Sequence, residues 1–192
     1  MYKILNHNTE QPTSKLKWQQ IYVIDELTWD KIFLSPFNNK FSVQQQWFQT
    51  RINHRILPCK KYLYTLKLID SPLCTFCYQD ETRVHMFWTC SATQTFLNTL
   101  RNWLSTKNID ITFREKSFIF NTNVGNNISS LELHILLEAK HYIFSARRLN
   151  RILSVAAFKN IFKHKIEALK EIATKNGKLD SFITQWHMLL NI

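Results

Sequence analysis

Apolar residues recur every three or four positions along most of the chain, which is the spacing of an amphipathic helix. The clearest stretch begins at Ser129, where Glu132 completes a capping-box pattern three residues later. A second stretch follows it and ends near Asn176 and Gly177, because both residue types suit a left-handed helix cap. The pattern predicts two long helices, with apolar faces made of Leu131, Ile135, Ala139, Tyr142, Ala146 and Leu149 in the first and Val155, Phe158, Phe162, Ile166, Leu169 and Ala173 in the second.

The rest of the chain carries the same pattern in shorter pieces. Residues 41–57 predict a helix that ends before Pro58, and Pro58 can itself start a short helix. Residues 87–103 predict another helix, and the residues near the C-terminus predict one more. The stretch 116–121 (KSFIFN) is instead predicted to be a short extended segment. The apolar residues of these four helices are Phe41, Phe48, Ile52 and Ile56, then Tyr62, Leu63 and Leu66, then Phe96, Leu100 and Trp103, and finally Phe182, Ile183 and Trp186.

Glycine is scarce, with Gly125 and Gly177 the only two in 192 residues. Hairpin-rich β architecture and Gly-rich phosphate loops both need backbone at positive φ, which glycine adopts most easily. The chain is therefore predicted to be all-α. A core of real size is expected, because 45% of the residues are hydrophobic and 14% are aromatic.

The chain is strongly basic, with a formal net charge of +11 at pH 7. Such an excess favours a polyanionic partner, RNA and/or DNA, over a small-molecule substrate. No run of about 18 apolar residues predicts a membrane span, and no short apolar run behind a basic start predicts a secretory leader. We expect no membrane association and an intracellular location, in the nucleus, the cytoplasm or both.

The positive charge is concentrated in a window without acids. No acidic residue occurs between Asp30 and Asp70. A solvated face normally mixes both signs, so the window suggests a surface selected for polyanions, although chance in a basic protein is an open alternative. The basic residues in the window are Lys31, Lys40, Arg51, Arg55, Lys60, Lys61 and Lys67.

The most informative motif is Cys74-x2-Cys77-x7-His85-x4-Cys90. A Cys-x2-Cys turn presents two thiolates to one tetrahedral ion, and zinc accepts both sulfur and imidazole ligands. We therefore predict one structural Zn²⁺. The fourth cysteine, Cys59, lies outside the motif and is predicted to be a small buried side chain or a spare thiol.

The same four residues are also compatible with arrangements that lack a structural metal. A disulfide with a free thiol, or buried thiols beside a solvated histidine, would use them, but a reducing compartment disfavours the disulfide. A catalytic zinc would need an open coordination position and a neighbouring base. Glu81 is a candidate for that base, yet a lone acid in a solvated turn is more simply a turn residue. We expect no catalytic residue.

With this motif in view, the chain resembles the region that follows the polymerase in LINE-type (non-LTR) retrotransposon reverse transcriptases, which carries a CCHC zinc-binding motif. The resemblance covers FSVQQQWFQTRINHRILPCKKYLYTLKLIDSPLCTFC (41–77) and ETRVHMFWTC (81–90). It extends upstream through TWDKIFLSPF (28–37) and more weakly downstream to Trp186. The resemblance implies a non-catalytic tail that grips template RNA or target DNA during target-primed reverse transcription. No Asp-Asp pair of a polymerase palm occurs in the sequence.

The expected organisation follows from these motifs. Residues 1–27 are linker-like, 28–106 form the zinc-stapled helical module, 107–128 form an Asn-rich linker, and 129–192 form a helical C-terminal subdomain. The residues predicted to contact nucleic acid are Arg51, Arg55, Lys60, Lys61, Arg147, Arg148 and Arg151.

Alternative roles for these residues stay open. The last three could only complement a helix dipole, and the first two could lay their stems over Trp47. The competing function is a protein-interaction module, or a relic fragment, that docks on a reverse transcriptase core.

Overall fold

A computed structural model of the chain describes residues 12–38, 41–122 and 129–189. Over these ranges the regular structure is helical and no strand occurs, so the all-α prediction is confirmed. The one pairing of extended backbone among them is an isolated antiparallel bridge between Leu73 and Asp80.

Nine α-helices run through the described residues in chain order. A π-helical turn, His85–Thr89, precedes α5, and a 3₁₀ turn, His187–Leu189, follows α9. The helices are α1 Thr13–Gln19, α2 Glu26–Asn38, α3 Val43–Asn53, α4 Lys60–Thr65, α5 Ser91–Ser105, α6 Glu115–Phe120, α7 Ser130–Arg148, α8 Val155–Lys175 and α9 Leu179–Trp186.

Local side-chain chemistry sets several helix ends. Ser129 accepts a hydrogen bond from the Glu132 N–H while the Glu132 carboxylate accepts one from the Ser129 N–H, so the predicted capping box is confirmed. The structure contains a second capping box, between Ser42 and Gln45, at the start of α3. Gly177 follows α8 at φ +65°, which confirms the predicted left-handed cap.

Phe120 lies at the centre of an aromatic cluster that joins α1, α2 and α6. Its ring centroid lies 5.1 Å from that of Trp18, 5.6 Å from that of Trp29 and 5.6 Å from that of Tyr22, each in an edge-on arrangement. The Trp18 Nε1–H also donates to the Asn53 carbonyl over 2.9 Å, which ties α1 to the end of α3.

A second aromatic cluster joins α5, α7, α8 and α9. The Phe158 ring centroid lies 5.9 Å from that of Phe96, 5.7 Å from that of Tyr142 and 5.2 Å from that of Phe162. Trp186 of α9 packs on Phe162 with centroids 6.2 Å apart. Both clusters belong to one continuous hydrophobic core of the described residues.

This core crosses the predicted segment boundaries. Ile109, Ile111 and Phe118, from the stretch predicted as a linker, are buried in it, as is Trp18 from the stretch predicted as linker-like. Residues 123–128 of the first stretch and 1–11 of the second lie outside the described residues. The two predicted linkers thus contain residues that help to build the core.

Two predicted elements need correction. Residues 116–121 are not extended but belong to α6 and its left-handed cap at Asn121, because packing of Phe118 and Phe120 outweighs the strand preference of aromatic residues. The helix predicted from residue 87 begins at Ser91 instead, since Cys90 is extended and the preceding turn is π-helical.

A lysine lies fully buried in the middle of α7. Lys140 Nζ donates to Gln49 Oε1 and, over 3.3 Å, to the Ile119 carbonyl. Gln49 Nε2 in turn donates to the same carbonyl and to Asn53 Oδ1. Burial lowers the pKa of Lys140 well below its usual value. This polar network links α3, α6 and α7 through the core.

In the described part of the chain, no helix combines the length and the apolar character needed to cross a bilayer.

Candidate metal centre

The first two cysteines lie in a tight turn closed by backbone hydrogen bonds. The Cys74 N–H donates to the Gln79 carbonyl over 2.7 Å, and the Tyr78 N–H donates to the Cys74 carbonyl over 2.9 Å. Tyr78 has a left-handed backbone with φ 59°, which turns the chain back directly after Cys77. The bridge between Leu73 and Asp80 closes the base of this turn.

The second pair of residues comes from the π-helical turn and its end. His85 is the first residue of that turn, and its N–H donates to Thr82 Oγ1 over 3.0 Å. Cys90 follows the turn with φ −71° and ψ 130°. A π turn is often found at functional sites, and here the turn and the extended Cys90 together bring His85 and Cys90 to the same point.

The four side chains converge on one small volume. The sulfur of Cys90 lies 3.9 Å from that of Cys74 and 3.8 Å from that of Cys77, and Cys77 Sγ lies 3.2 Å from His85 Nε2. All four ligand atoms lie within 4.8 Å of one another. The structure therefore confirms that the predicted residues form a group able to hold a metal ion.

The spacing fits a tetrahedral ion. Metal–sulfur bonds of about 2.3 Å in a tetrahedron place sulfur atoms about 3.8 Å apart, which agrees with both sulfur–sulfur distances. Burial and the neighbouring Cys74 and Cys90 side chains raise the pKa of Cys77 to about 11 in the metal-free protein. A cation between the sulfur atoms favours ionisation of Cys77 as well, so the donor set fits a bound metal.

His85 is oriented by a second contact. With Nε2 directed at the sulfur atoms, Nδ1 lies 3.4 Å from Thr89 Oγ1, one turn later. Metal-binding histidines commonly use the other ring nitrogen in this way, which fixes the tautomer and the ring plane. His85 is buried, so solvent does not compete strongly for either nitrogen.

Arg147, at the end of α7, reaches into the same centre. Its Nη1 donates to Cys74 Sγ over 3.1 Å and to Glu81 Oε2 over 3.0 Å, and its Nη2 donates to Thr93 Oγ1 over 2.9 Å. The Arg147 and Glu81 side chains are only 4% and 6% exposed. The guanidinium thus connects the cysteine turn, α5 and α7 at a single point.

The electrostatics of this centre favour the thiolate forms of Cys74 and Cys90. Burial alone would raise the pKa of Cys74, but the Phe76 N–H and the Arg147 guanidinium hold it below its usual value. Burial opposes ionisation of Cys90 as well, yet the Thr93 N–H and Arg147 hold its pKa low. Since thiolates are the form that binds metal, Arg147 prepares two of the three sulfur ligands.

The structure corrects two assignments from the sequence. The sequence predicts Arg147 as a contact to nucleic acid, but its guanidinium is buried and its donors face the metal centre. The sequence favours a solvated turn position for Glu81, but Glu81 is buried and its Oε1 also accepts a hydrogen bond from the Lys60 N–H over 3.2 Å. Both errors arise because Arg147 is far from the cysteine motif in sequence.

The residues predicted to contact nucleic acid in the first half of the chain differ in exposure. Arg51 is exposed on α3, whereas Arg55 lies beyond the helix at φ 57° with its Cζ 4.4 Å above the Trp18 ring. Lys60 is half-buried, and Lys61 is exposed but pairs with Asp80 over 2.6 Å. Arg55 therefore does not share a helix face with Arg51.

The two remaining predicted contacts lie at the exposed end of α7. Arg148 is exposed with its Cζ 5.8 Å above the Phe144 ring, and Arg151 is exposed just beyond the helix. Neither forms an ion pair with a residue that the structure describes. Both side chains are therefore accessible to a binding partner.

Sequence reasoning missed the residues that support the ligands. Thr89 and Thr93 lie within and just after the motif, and their hydroxyls contact His85 and Arg147. Thr89 lies one turn after His85, and Thr93 lies just after Cys90. These positions are a usable signal, because hydrogen-bonding neighbours commonly orient metal ligands. No comparable signal marks Arg147, which the fold brings in from α7.

Comparison with known proteins adds no relative: no family model, no curated protein and no solved structure matches this chain.

Proposed function

We propose that the chain is a non-catalytic, zinc-stabilised helical module that binds nucleic acid. The proposal rests on two exposed basic residues, Lys61 and Arg148, that each follow a residue bonded to Glu81 beside the metal centre. Glu81 accepts hydrogen bonds from both the Lys60 N–H and Arg147, so the ends of α4 and α7 adjoin there. Lys61 and Arg148, next to those two residues in sequence, are exposed.

Zinc is the metal that the donor set favours. Three sulfur atoms and one imidazole suit Zn²⁺, whereas Mg²⁺ and Ca²⁺ prefer oxygen ligands. Four protein ligands complete a tetrahedral shell, and this supports a structural role over a catalytic one. When bound, the ion supplies folding energy by joining the Cys74 turn to the start of α5.

The nucleic-acid partner is proposed from charge. The net charge is +11, and the acid-free window between Asp30 and Asp70 includes α3 and α4. Arg51, Arg148 and Arg151 are exposed and form no ion pair with any described residue, so their guanidiniums are free for bidentate contacts to phosphate.

The biological setting is proposed from the sequence resemblance alone. A tail of a LINE-type reverse transcriptase would hold template RNA or target DNA near a polymerase core carried elsewhere. The compact Cys-turn and the helices around it are compatible with such an accessory role. Single-stranded RNA, duplex DNA and an RNA–DNA hybrid are therefore the appropriate probes.

Fluorescence anisotropy at two salt concentrations tests this function. Zinc-loaded protein is titrated into labelled single-stranded RNA, duplex DNA and hybrid, and the affinity is compared between low and physiological salt. We expect measurable binding whose affinity falls as salt rises, because phosphate contacts release counterions. No binding at low salt to any of the three probes rejects the proposal.

A second function, docking on a protein, is favoured by large apolar side chains that α2 and α3 expose. Leu27, Phe37, Val43 and Trp47 are exposed by 75%, 57%, 66% and 59%. Exposed apolar side chains can mark interaction surfaces where they lie together. Trp47→Ser would leave nucleic-acid affinity unchanged but weaken binding to a polymerase core if this surface docks there.

A further inference from the structure

Tyr78 is an exposed aromatic residue at the end of the cysteine turn, residues 74–79. The residue is 78% exposed. Through its side chain it forms no hydrogen bond, ion pair or ring contact with a residue that the structure describes. The ring therefore contributes little to the packing of the described core, and both of its faces are accessible to a partner.

The backbone of Tyr78 is left-handed, with φ 59°. A bulky side chain rarely adopts this conformation, because its Cβ crowds the neighbouring carbonyl. Asn108, Asn121 and Asn150 also have positive φ, but asparagine adopts it readily, and Tyr78 is the only aromatic residue with positive φ in the described ranges. Folding alone would favour glycine or asparagine at this position. Such an outlier points to a role for the ring outside the fold.

Hydrogen bonds of the turn fix the position from which the ring projects. The Tyr78 N–H donates to the Cys74 carbonyl over 2.9 Å, and the Cys74 N–H donates to the Gln79 carbonyl over 2.7 Å. Cys77, the preceding residue, belongs to the group able to hold a metal ion. The ring is thus presented from a constrained backbone, which reduces the conformational entropy that a binding partner must overcome.

The turn adjoins the basic end of α7. Arg147 reaches the turn itself, since its Nη1 lies 3.1 Å from Cys74 Sγ. Arg148, the next residue, is exposed and forms no ion pair with a described residue. Asp80 lies two residues beyond the exposed ring, but Lys61 offsets its charge over 2.6 Å. These charges favour a polyanionic partner over an apolar pocket of another protein.

We propose that the ring of Tyr78 is a stacking platform for an unpaired base of single-stranded nucleic acid. Every base offers a π-face to an aromatic side chain, and Arg148 supplies a positive charge for the backbone that carries the base. A duplex keeps its bases stacked inside and offers no free face. The inference rests on the proposed function and deepens it, by naming single-stranded nucleic acid as the class of ligand.

Fluorescence anisotropy of wild type, Tyr78→Gly and Tyr78→Phe tests the platform. The zinc-loaded proteins are titrated into labelled single-stranded RNA, single-stranded DNA and duplex DNA. Tyr78→Gly should bind both single strands roughly 5- to 150-fold more weakly, which is the measured range for one base stacked on an aromatic ring. Tyr78→Phe should retain the affinity, because it keeps the ring. The salt slope should stay the same in both variants, since the ring carries no charge.

Stability and a second tyrosine provide the controls. Tyr78→Gly should hold one zinc per chain and unfold at the wild-type Tm or above, because glycine adopts positive φ without steric cost. Tyr64, on α4, is 47% exposed, so Tyr64→Ala is the matched control for Tyr78→Ala. Only the second of these should lose affinity for single strands. A clear fall in the Tm of Tyr78→Gly would show that the fold needs the ring and would overturn the inference.

The binding results separate this inference from the proposed function. Wild type that binds single strands, with unchanged affinity in Tyr78→Gly, overturns the platform while the proposed function stands. An equal loss of affinity for duplex DNA in that variant, or an equal loss in Tyr64→Ala, also overturns it. Wild type that binds none of the three probes overturns both. A loss confined to single strands and to the Tyr78 variants that lack a ring supports the platform.

Discussion

Replacing Arg147 by methionine should destabilise the protein more than any other single change of a charged residue near the metal centre. Methionine keeps much of the stem but removes the donors to Cys74, Glu81 and Thr93. Glu81 is then a buried carboxylate without its cation. Removing one partner of a buried ion pair typically lowers the free energy of unfolding by about 3 to 5 kcal/mol.

This magnitude is large enough to measure directly. For a chain of this size, each kcal/mol lowers Tm by roughly 2 to 4 °C, so Arg147→Met should unfold about 6 to 20 °C below wild type. Urea unfolding of the zinc-loaded proteins gives the free energy itself. Arg148→Met is the matched control, because that side chain is exposed and its loss should change stability by about 0.5 kcal/mol or less.

The double variant Glu81→Gln with Arg147→Met separates the pair from the arginine alone. Removing both charges leaves no buried carboxylate unpaired, so the double variant should be less destabilised than the two single variants added together. The reasoning is refuted if Arg147→Met unfolds within about 0.5 kcal/mol of Arg148→Met, since a surface arginine would behave in that way.

Three further outcomes follow from the same structure. Cys90→Ser should abolish stoichiometric zinc binding, whereas Cys59→Ser, at a buried thiol outside the site, should retain one zinc per chain by elemental analysis. Lys140→Met should flatten the pH dependence of stability. Between the lowered pKa of Lys140 in the folded chain and about pH 10, the unfolded chain binds a proton that the folded chain does not. In that window the stability of the wild type rises with pH by up to about 1.4 kcal/mol per unit and that of the variant does not, as urea midpoints measured up to about pH 10 would reveal. Arg51→Ala combined with Arg148→Ala should lower the salt slope of RNA binding by about one to two units without changing zinc content, and an unchanged slope would move the contact surface elsewhere.

The features that the sequence predicts well are local ones. The ligand set follows from four residues within one short segment, and the start of α7 follows from Ser129 and Glu132. Each depends on neighbours in sequence, so spacing alone carries the information. The end of α8 at Gly177 has the same origin.

The features that the sequence does not predict depend on distant contacts. Arg147 resembles an exposed cation at a helix end until the fold brings Cys74 and Glu81 to it. Lys140 occupies an ordinary position on α7 until α3 and α6 surround it and supply its hydrogen-bond acceptors. Arg55 lies outside the helix predicted over residues 41–57 because α3 ends at Asn53 and the backbone turns left-handed.

The resemblance to LINE-type reverse transcriptases remains a prediction about origin. It names a family in which a zinc-binding tail accompanies a polymerase, and the proposed nucleic-acid surface is consistent with that setting. Binding assays on this chain decide the molecular function without reference to that origin.

Removal of the metal tests the account most directly. The purified protein should contain one zinc ion per chain, and a strong chelator should remove it together with the hydrogen-exchange protection of residues 58–106, since the ion joins the cysteine turn to the start of α5. Protection should return when zinc is added back. A chain that is zinc-free by elemental analysis, yet keeps unchanged protection over residues 58–106, would contradict a structural role for Cys74, Cys77, His85 and Cys90.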